Sequence, residues 1–468
     1  MSDNPLLSIT DLVDFPAIKP EHVVPGMKSL IQDSQEALKT SNAKDTPATW
    51  DAVITPLEQR TLKLSRAWGA VSHLMSVCDE PKLREAYNEA LPIVTQFWIG
   101  LSQSELSEKY KAIKESAEFK TLSSTRQRII NEELKDFMLA GAFLPAKRKE
   151  QLKTVKETLA KESQKFSENL LDATNAYGLL VENKSDLAGI PEDDIASFKE
   201  AAQAAGQEGY RITLQVPHYL AVMQYAQNRA LRETLYKAYV TRASELDFDG
   251  RFNNNDVMRH IVELRETEAK LLGFKNYGEV SLATKMADTP QEVIAFLRDL
   301  AKRSLPQAKN DMKEVKQFAR DTLKIDDPQS WDLPFASEKL RQARYSYSDQ
   351  EVKQYFTLPN VFNGLFGLVQ TLFGIRIVPD TAPVWHPDVQ FFRIENDKGE
   401  KVAQFYMDLY ARPNKRGGAW MDNDRTRNRL YGQLQTPVAY LVCNFAKPVG
   451  DKPALLTHDD VLTLFHEF

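Results

Sequence analysis

The sequence predicts a mainly α-helical fold with one small β-sheet late in the chain. Apolar residues recur at helical spacing in most blocks between Trp50 and Ala319. Alternating runs with aromatic residues, typical of strands, are concentrated after Trp385. The sequence has no internal repeat of fixed period and no low-complexity tract, so we expect helices around a single sheet and not a solenoid.

The composition is that of an ordinary globular protein, and it narrows the possible partners. Hydrophobic residues make up 42% of the 468 residues and charged residues 27%, which excludes a disordered or fibrous chain. The net charge of −5 arises from 60 basic and 65 acidic residues mixed along the chain. We therefore expect no nucleic-acid or membrane partner, and peptide or small-molecule ligands remain open.

The cysteines and the amino terminus indicate a reducing compartment. The two cysteines, Cys78 and Cys443, lie far apart in sequence, which argues against a disulfide scaffold and against a cysteine-built zinc site. The amino terminus lacks a basic segment and an apolar core of about 7 to 15 residues, and no later stretch of about 18 apolar residues could cross a membrane. We expect a cytoplasmic, monomeric protein.

The first half of the chain reads as successive helices. Leu83, Ala86, Tyr87 and Ala90 share one helical face, and Pro81 and Pro92 are expected to bracket that helix. The next two helices are predicted at 126–139 and 147–176, and we expect them to pack as antiparallel neighbours.

The middle of the chain adds a short strand and three more helices. The alternating segment 211–216 predicts a strand that feeds one long helix over 219–243. Further helices are predicted at 258–272 and 291–319, whereas the Asp- and Pro-rich segment 323–335 is expected to be an exposed loop.

The sheet is predicted from three segments near the end of the chain. The runs 389–395 and 401–410 flank a turn at 396–399 and predict a hairpin, and 438–445 is a third strand. The Arg-rich stretch 424–429 is expected to be a solvated loop.

A helix is predicted to close the chain. Thr457 is the expected N-cap, with Asp460 three positions later as in a capping box. The apolar stripe leaves His466 and Glu467 to one side, and its members are Val461, Leu464, Phe465 and Phe468.

His466 and Glu467 match the first half of a zinc-peptidase helix. Such a helix needs two histidines four residues apart to grip Zn²⁺ and a glutamate after the first to accept a proton. The second histidine would fall two positions past Phe468. Alone, this fragment favours an ordinary flanking histidine beside a solvated glutamate. His386 and His458 are expected to be structural. No Gly-rich phosphate loop and no Ser or Cys nucleophile motif stands out.

Several longer segments indicate a protein family more specifically than the His466–Glu467 fragment does. These are NPLL at 4–7, LLGFKNYGEVSLATKMA at 271–287, VWHPDVQFF at 384–392, FYMDLYARPNKRGGAW at 405–420 and KPALLTHDDVLTLFHEF at 452–468. In these segments the chain resembles, over nearly its whole length, the thimet oligopeptidase family of zinc peptidases, and most closely its bacterial branch.

The resemblance implies a helical, clam-like peptidase with a deep channel that admits short peptides and hydrolyses their internal bonds. It implies that His466 is the first zinc ligand and Glu467 the general base, with one Zn²⁺ as cofactor. Residues 1–150 would form an amino-terminal helical region and 151–468 the front part of the catalytic domain, cut inside the zinc-binding helix. Because a catalytic zinc site typically uses three protein ligands, we expect the 468-residue chain alone to be inactive.

Two alternatives remain open at this point. Gly417, Gly418 and Ala419 could let a substrate backbone approach and pair through main-chain hydrogen bonds, or they could form an ordinary tight turn. The whole protein could be a zinc oligopeptidase, or a non-catalytic helical scaffold that only binds peptides.

Overall fold

The helices of the amino-terminal region follow one another with short connections. The computed structural model describes residues 4–430, 432–448, 450 and 453–468; Lys452, the first residue of the closing sequence segment, lies outside these ranges. The first six helices are α1 Pro20–Asn42, α2 Thr55–Val77, α3 Pro81–Ser102, α4 Leu106–Glu115, α5 Ser124–Leu139 and α6 Ala146–Ala176.

Helix α3 corrects one expected boundary. Pro92 lies inside this helix instead of ending it. A proline in a helix interior removes one backbone hydrogen bond, but Ala90, Val94 and Phe97 are buried on both sides of Pro92 in the core shared with α1 and α2. Tertiary packing therefore overrides the local preference.

The middle region contains a two-stranded sheet and six further helices. Strands β1 Leu179–Val181 and β2 Tyr210–Ile212 pair antiparallel. The helices are α7 Glu192–Ala204, α8 Val216–Tyr225, α9 Arg229–Val240, α10 Asn255–Leu272, α11 Tyr277–Leu282 and α12 Pro290–Asp321.

Two expectations for these helices were wrong. The single helix expected over 219–243 is divided into α8 and α9, because the Asn228 side chain caps α9 by accepting from the Leu231 N–H and the Gln227 N–H bonds to Ala188. Helix α6 packs mainly along α10 and α3, not along α5 as expected.

The segment expected to be an exposed loop after α12 is partly buried. A short 3₁₀ turn spans Ser330–Asp332, and Asp332 is fully buried. Its carboxylate accepts from the guanidinium groups of Arg229 and Arg232 at 2.8 and 2.7 Å. Burial of this aspartate follows from pairing, which a composition-based loop prediction cannot see.

The last part of the chain builds the main sheet and four helices. The helices are α13 Leu333–Tyr345, α14 Asp349–Lys353, α15 Leu358–Phe373 and α16 His458–Glu467. The strands are β3 Arg376–Pro379, β4 Gln390–Glu395, β5 Lys401–Tyr410, β6 Trp420–Arg425 and β7 Val438–Phe445. Their order is β3-β4-β5-β7-β6, with β5 and β7 parallel and the other neighbours antiparallel.

The predicted hairpin and the third strand are confirmed, and two strands were missed. Phe392 stands opposite Phe405 in the β4–β5 hairpin, and β7 covers the predicted segment. Strands β3 and β6 are edge strands, and the polar β6 carries no alternating apolar signal. Asp424 and Arg425, at the end of β6, are buried, so the solvated loop expected there was wrong for these two residues.

The main sheet has a different cover on each face. The inner face packs against helices α1 to α3 through Phe391, Tyr406, Val438, Tyr440 and Val442. The outer face packs against α15 and α16 through Phe392, Phe405, Met407, Leu441, Cys443 and Phe445. Alternation along each strand thus divides the side chains between two cores. The described part of the chain is mainly α-helical, as predicted, and contains no helix long and apolar enough to cross a membrane.

Candidate functional site

Helix α16 begins as the sequence predicts. The Thr457 side chain accepts from the Asp460 N–H at 3.1 Å, and the Asp460 carboxylate accepts from the Thr457 N–H at 2.9 Å. This reciprocal capping box fixes the start of the helix on the outer face. Leu464 is fully buried there, whereas Phe465 and Phe468 keep 38% and 37% of their surface exposed. The predicted apolar stripe is therefore only partly covered by the described residues.

His466 and Glu467 occupy the last turn of α16, away from the buried Leu464. His466 is exposed and Glu467 is half-buried. Among the described residues neither side chain has a hydrogen bond or an ion pair. Both side chains are thus accessible from the solvent side of the helix.

The described residues do not assemble a complete metal site around His466. Nowhere in the described ranges do three or more His, Cys, Asp or Glu side chains converge in a group that could hold a metal ion. One imidazole does not satisfy a catalytic zinc ion, which typically has three protein ligands. His466 fits the role of one ligand, and the described chain does not supply the other two.

The other late histidines have local structural contacts. His386 accepts from the Asp388 N–H at 3.2 Å, and burial lowers its pKa. The ring of His458 lies 6.2 Å from that of Phe356, in the first turn of α16. Neither joins His466 in a ligand group within the described chain, in line with the structural role expected for them.

The loop that carries Gly417, Gly418 and Ala419 is anchored by a buried ionic cluster. Asp408 on β5 is fully buried and accepts from both guanidinium nitrogens of Arg412, at 2.6 and 2.7 Å, and from Lys415 Nζ at 2.8 Å. Lys415 Nζ also donates to the carbonyl oxygens of Asp408 and Tyr410. Burial alone would raise the pKa of Asp408, but these two cations hold it at about 2.

The loop itself is open on one side and held on the other. The Asn444 side-chain amide on β7 donates to the carbonyls of Arg416 and Gly418, at 3.0 and 2.6 Å. Gly418 has φ +94°, a conformation that favours glycine. Gly417 has no such constraint, and a Cβ added there would meet nothing within 4 Å. Neither packing nor backbone conformation in the described chain therefore requires glycine at position 417.

The glycine loop and α16 meet the same side of the sheet. Ala419 and Val461 both pack against the core of the outer face. Cys443 on β7 belongs to the same core, and burial is the main reason that the pKa of its thiol is raised to about 12. Lys415 and Glu467 act on that thiol with opposite sign, so both charges lie within electrostatic reach of one atom. Both segments that the sequence singled out therefore contact strand β7, the loop through the Asn444 side chain and α16 by packing.

A cavity of about 240 Å³ lies between the glycine loop and helix α6. Gly417, Gly418 and Asn444 line one wall, and Ser167 and Leu171 of α6 line the other. A second cavity of about 300 Å³ adjoins it and shares Arg416. The sequence alone gave no reason to connect α6 with the loop, because about 250 residues separate them. Asp408 and Asn444 were missed as well, since a lone polar residue inside a strand pattern does not reveal its partners.

Comparison with known proteins assigns this arrangement to a family. The model of peptidase family M3 matches residues 222–468, and that of the neurolysin/thimet oligopeptidase N-terminal domain matches residues 27–149. The first match contains β7, the glycine loop and α16.

Several oligopeptidases A are similar over almost the whole chain. Those of Haemophilus influenzae and Escherichia coli are 44% and 43% identical over 99% of this chain, which spans 69% of each relative's length. A probable cytosolic oligopeptidase A of Arabidopsis thaliana is 40% identical over 100% of this chain, which spans 68% of the length of that relative. Among solved structures, PZ peptidase A with an inhibitor aligns with a TM-score of 0.49 and 17% identity, over 97% of this chain and 63% of that one. The two family matches and the similar oligopeptidases A agree: the chain belongs to peptidase family M3, a family of metallopeptidases.

Proposed function

We propose that this chain carries the peptide-binding loop and the first metal ligand of a zinc oligopeptidase that hydrolyses internal bonds of short peptides. The observation that carries the proposal is that the glycine loop, held by the Asn444 side chain, and helix α16 both contact strand β7 in an M3-family chain. A peptide lying along the loop would then run past the last turn of α16.

His466 and Glu467 have separate roles in this proposal. The exposed imidazole of His466 is the first ligand of the metal, and zinc, when bound, supplies a Lewis acid for the scissile carbonyl. Glu467 is the general base that accepts a proton from the attacking water and returns it to the leaving amine.

Gly417, Gly418 and Ala419 bind substrate backbone in this proposal. They precede β6, which is an edge strand, so main-chain groups on this side have no neighbouring strand within the described sheet. The empty space where a Gly417 Cβ would stand supports a ligand that approaches closely. The tight-turn alternative explains Gly418, whose φ is positive, but it does not explain Gly417.

We propose that the 468-residue chain is inactive by itself. The support is the incomplete ligand group around His466 in the described ranges and the fact that the chain spans 69% of the oligopeptidases A that it matches.

Three further features belong to the proposal. We place the protein in the cytoplasm as a monomer that binds neither nucleic acid nor membranes. The mixture of basic and acidic residues along the chain supports only the absence of these two partners. We divide the chain into an amino-terminal helical region, 1–150, and the front part of the catalytic domain, 151–468. The two separate family matches support this division.

The test is cleavage of an internally quenched short peptide by the 468-residue chain and by the protein encoded by the natural gene. We expect no turnover by the first and turnover by the second that a zinc chelator abolishes and added Zn²⁺ restores. Metal-dependent turnover by the 468-residue chain contradicts its proposed inactivity. If the protein encoded by the natural gene binds the peptide without cleaving it, the result supports the non-catalytic scaffold instead.

A further inference from the structure

The cavity between α6 and the glycine loop has a one-sided charge. Four cationic side chains line it, Arg242, Arg412, Lys415 and Arg416. No Asp or Glu is among the described residues that line it. A cavity walled by one sign of charge attracts a ligand of the opposite sign.

The charges of Arg412 and Lys415 are only half compensated. Both cations share the single carboxylate of Asp408, and all three side chains are buried. Two cations and one anion leave one positive charge behind the loop. This excess faces the cavity, because Asp408 lies on β5 behind the loop and does not line the cavity.

Arg242 and Arg416 have no carboxylate partner among the described residues. Arg242 donates only to neutral oxygens, the Tyr239 carbonyl at 2.9 Å and Thr174 Oγ1 at 3.0 Å. Arg416 lies over the Trp420 ring, 4.1 Å from its centroid, and its guanidinium makes no hydrogen bond within the described ranges. Burial lowers the pKa of Arg416, with Asp422 opposing this effect from a distance.

We infer that this cavity binds a carboxylate of a peptide whose backbone lies along Gly417 and Gly418, with Arg416 and Arg242 as its ligands. The inference rests on the proposed function for the peptide backbone and adds a substrate preference to it. Guanidinium groups recognise carboxylates through paired, charge-assisted hydrogen bonds. The carboxylate is either a carboxyl terminus or the side chain of Asp or Glu, since both present the same chemistry.

The adjoining cavity restricts where that carboxylate can sit. Its lining includes Asp79, Glu168 and Asp422, and it meets the first cavity at Arg416. The charge of Asp79 is paired with Arg84. Glu168 and Asp422 have no ion-pair partner among the described residues and repel a carboxylate, so Arg416 stands at a boundary between opposite charges. A peptide therefore enters with its negative group on the Arg242 side.

Calorimetric titration of the 468-residue chain with three acetylated alanine-rich hexapeptides tests the inference. The first has a central Gln and an amidated end, the second has Glu in place of that Gln, and the third keeps Gln but has a free carboxyl terminus. We expect one or both carboxylate peptides to bind about tenfold more tightly than the neutral one, as for a hydrogen bond to a charged group. If the second peptide binds more tightly, the cavity recognises an acidic side chain. If the third binds more tightly, the cavity recognises a carboxyl terminus.

Two substitutions of Arg416 distinguish the loss of its charge from a loss of folded structure as the cause of a lost preference. Arg416→Met should remove most of the tenfold preference, and Arg416→Lys should keep part of it. Arg427→Met removes the same charge from an exposed site outside the cavity and should leave the preference intact. Thermal unfolding of each variant confirms that the chain is folded.

Each remaining outcome has a distinct meaning. Equal affinity for the three peptides, or a preference that survives Arg416→Met, overturns the carboxylate site and leaves peptide binding in place. No binding of any of the three overturns both the carboxylate site and the peptide-binding role of the loop.

Discussion

The two faces of the main sheet differ in how completely they are covered. The inner face is sealed by α1 to α3, and Tyr406 and Tyr440 are each 1% exposed there. The outer face is covered by α15 and α16, but Leu372, Phe373 and Phe465 remain exposed on those helices. Among the described residues, the inner face is therefore covered more completely than the outer face.

The buried ionic cluster ties strand β5 to the core of the inner face, so its removal should have the largest effect. Asp408 accepts from the Trp385 indole N–H at 2.8 Å, and Arg412 donates to the Val77 carbonyl at 2.9 Å. We expect Asp408→Ala to lower the free energy of unfolding by about 3–5 kcal/mol, because it leaves two buried cations without an anion. Urea unfolding measures this. Asp422→Ala, at an exposed site, is the control and should cost little; an equal loss in both would contradict the role of the cluster.

A matched pair of leucines compares the two cores directly. Leu64 on α2 and Leu464 on α16 are both fully buried. We expect Leu64→Ala to cost about 2–5 kcal/mol of global stability. Leu464→Ala should act mainly on α16, a ten-residue helix at the edge of its core, because a short peripheral helix can open by itself. Hydrogen exchange separates the two: exchange in α16 should quicken in the second variant with little change in α1 to α3. Equal global losses would show that the faces unfold as one unit.

The inner face also predicts a dependence of stability on pH. His73 stacks on Tyr440 with 3.8 Å between ring centroids, and its Nε2 is buried with no hydrogen-bond partner among the described residues. Burial lowers the pKa of His73 from 6.5 to about 3. Between these values the unfolded chain binds a proton that the folded chain excludes, so stability falls as pH decreases through this window, by up to about 1.4 kcal/mol per pH unit.

His73→Phe should remove that contribution. Unfolding free energies at several pH values between 4 and 6 should fall less steeply in the variant than in the native chain. The exposed His260→Gln is the control and should keep the native slope. Identical slopes for the native chain and His73→Phe would contradict the neutral, buried state of this imidazole.

The smallest expected effect concerns the start of α16. Thr457→Ala removes the side chain that accepts from the Asp460 N–H and should cost about 1 kcal/mol. Thr457→Ser keeps the acceptor and should restore most of it. Protection of α16 amides from hydrogen exchange is the measurement, and unchanged protection in Thr457→Ala would contradict the role of the capping box.

The sequence predicted elements well where local signals and tertiary packing agree. The capping box at Thr457, the β4–β5 hairpin and β7 all carry their signal in adjacent residues. The errors at Pro92 and at the division of α8 from α9 arose where packing or a side-chain cap outweighed periodicity. Buried Asp332 and Asp408 were invisible for a related reason, because their partners were not identifiable from local patterns. In the site, His466, Glu467 and the glycine loop came from motifs, whereas the cavity against α6 requires the folded chain.

The most direct test of the central claim is the activity of Glu467→Gln in the protein encoded by the natural gene, measured together with its bound metal. Glutamine keeps the size of the side chain and cannot accept the proton. If α16 presents the general base, the variant should keep its metal and lose about 10²- to 10⁴-fold in turnover of the quenched peptide. Full turnover by Glu467→Gln with metal bound would contradict the account.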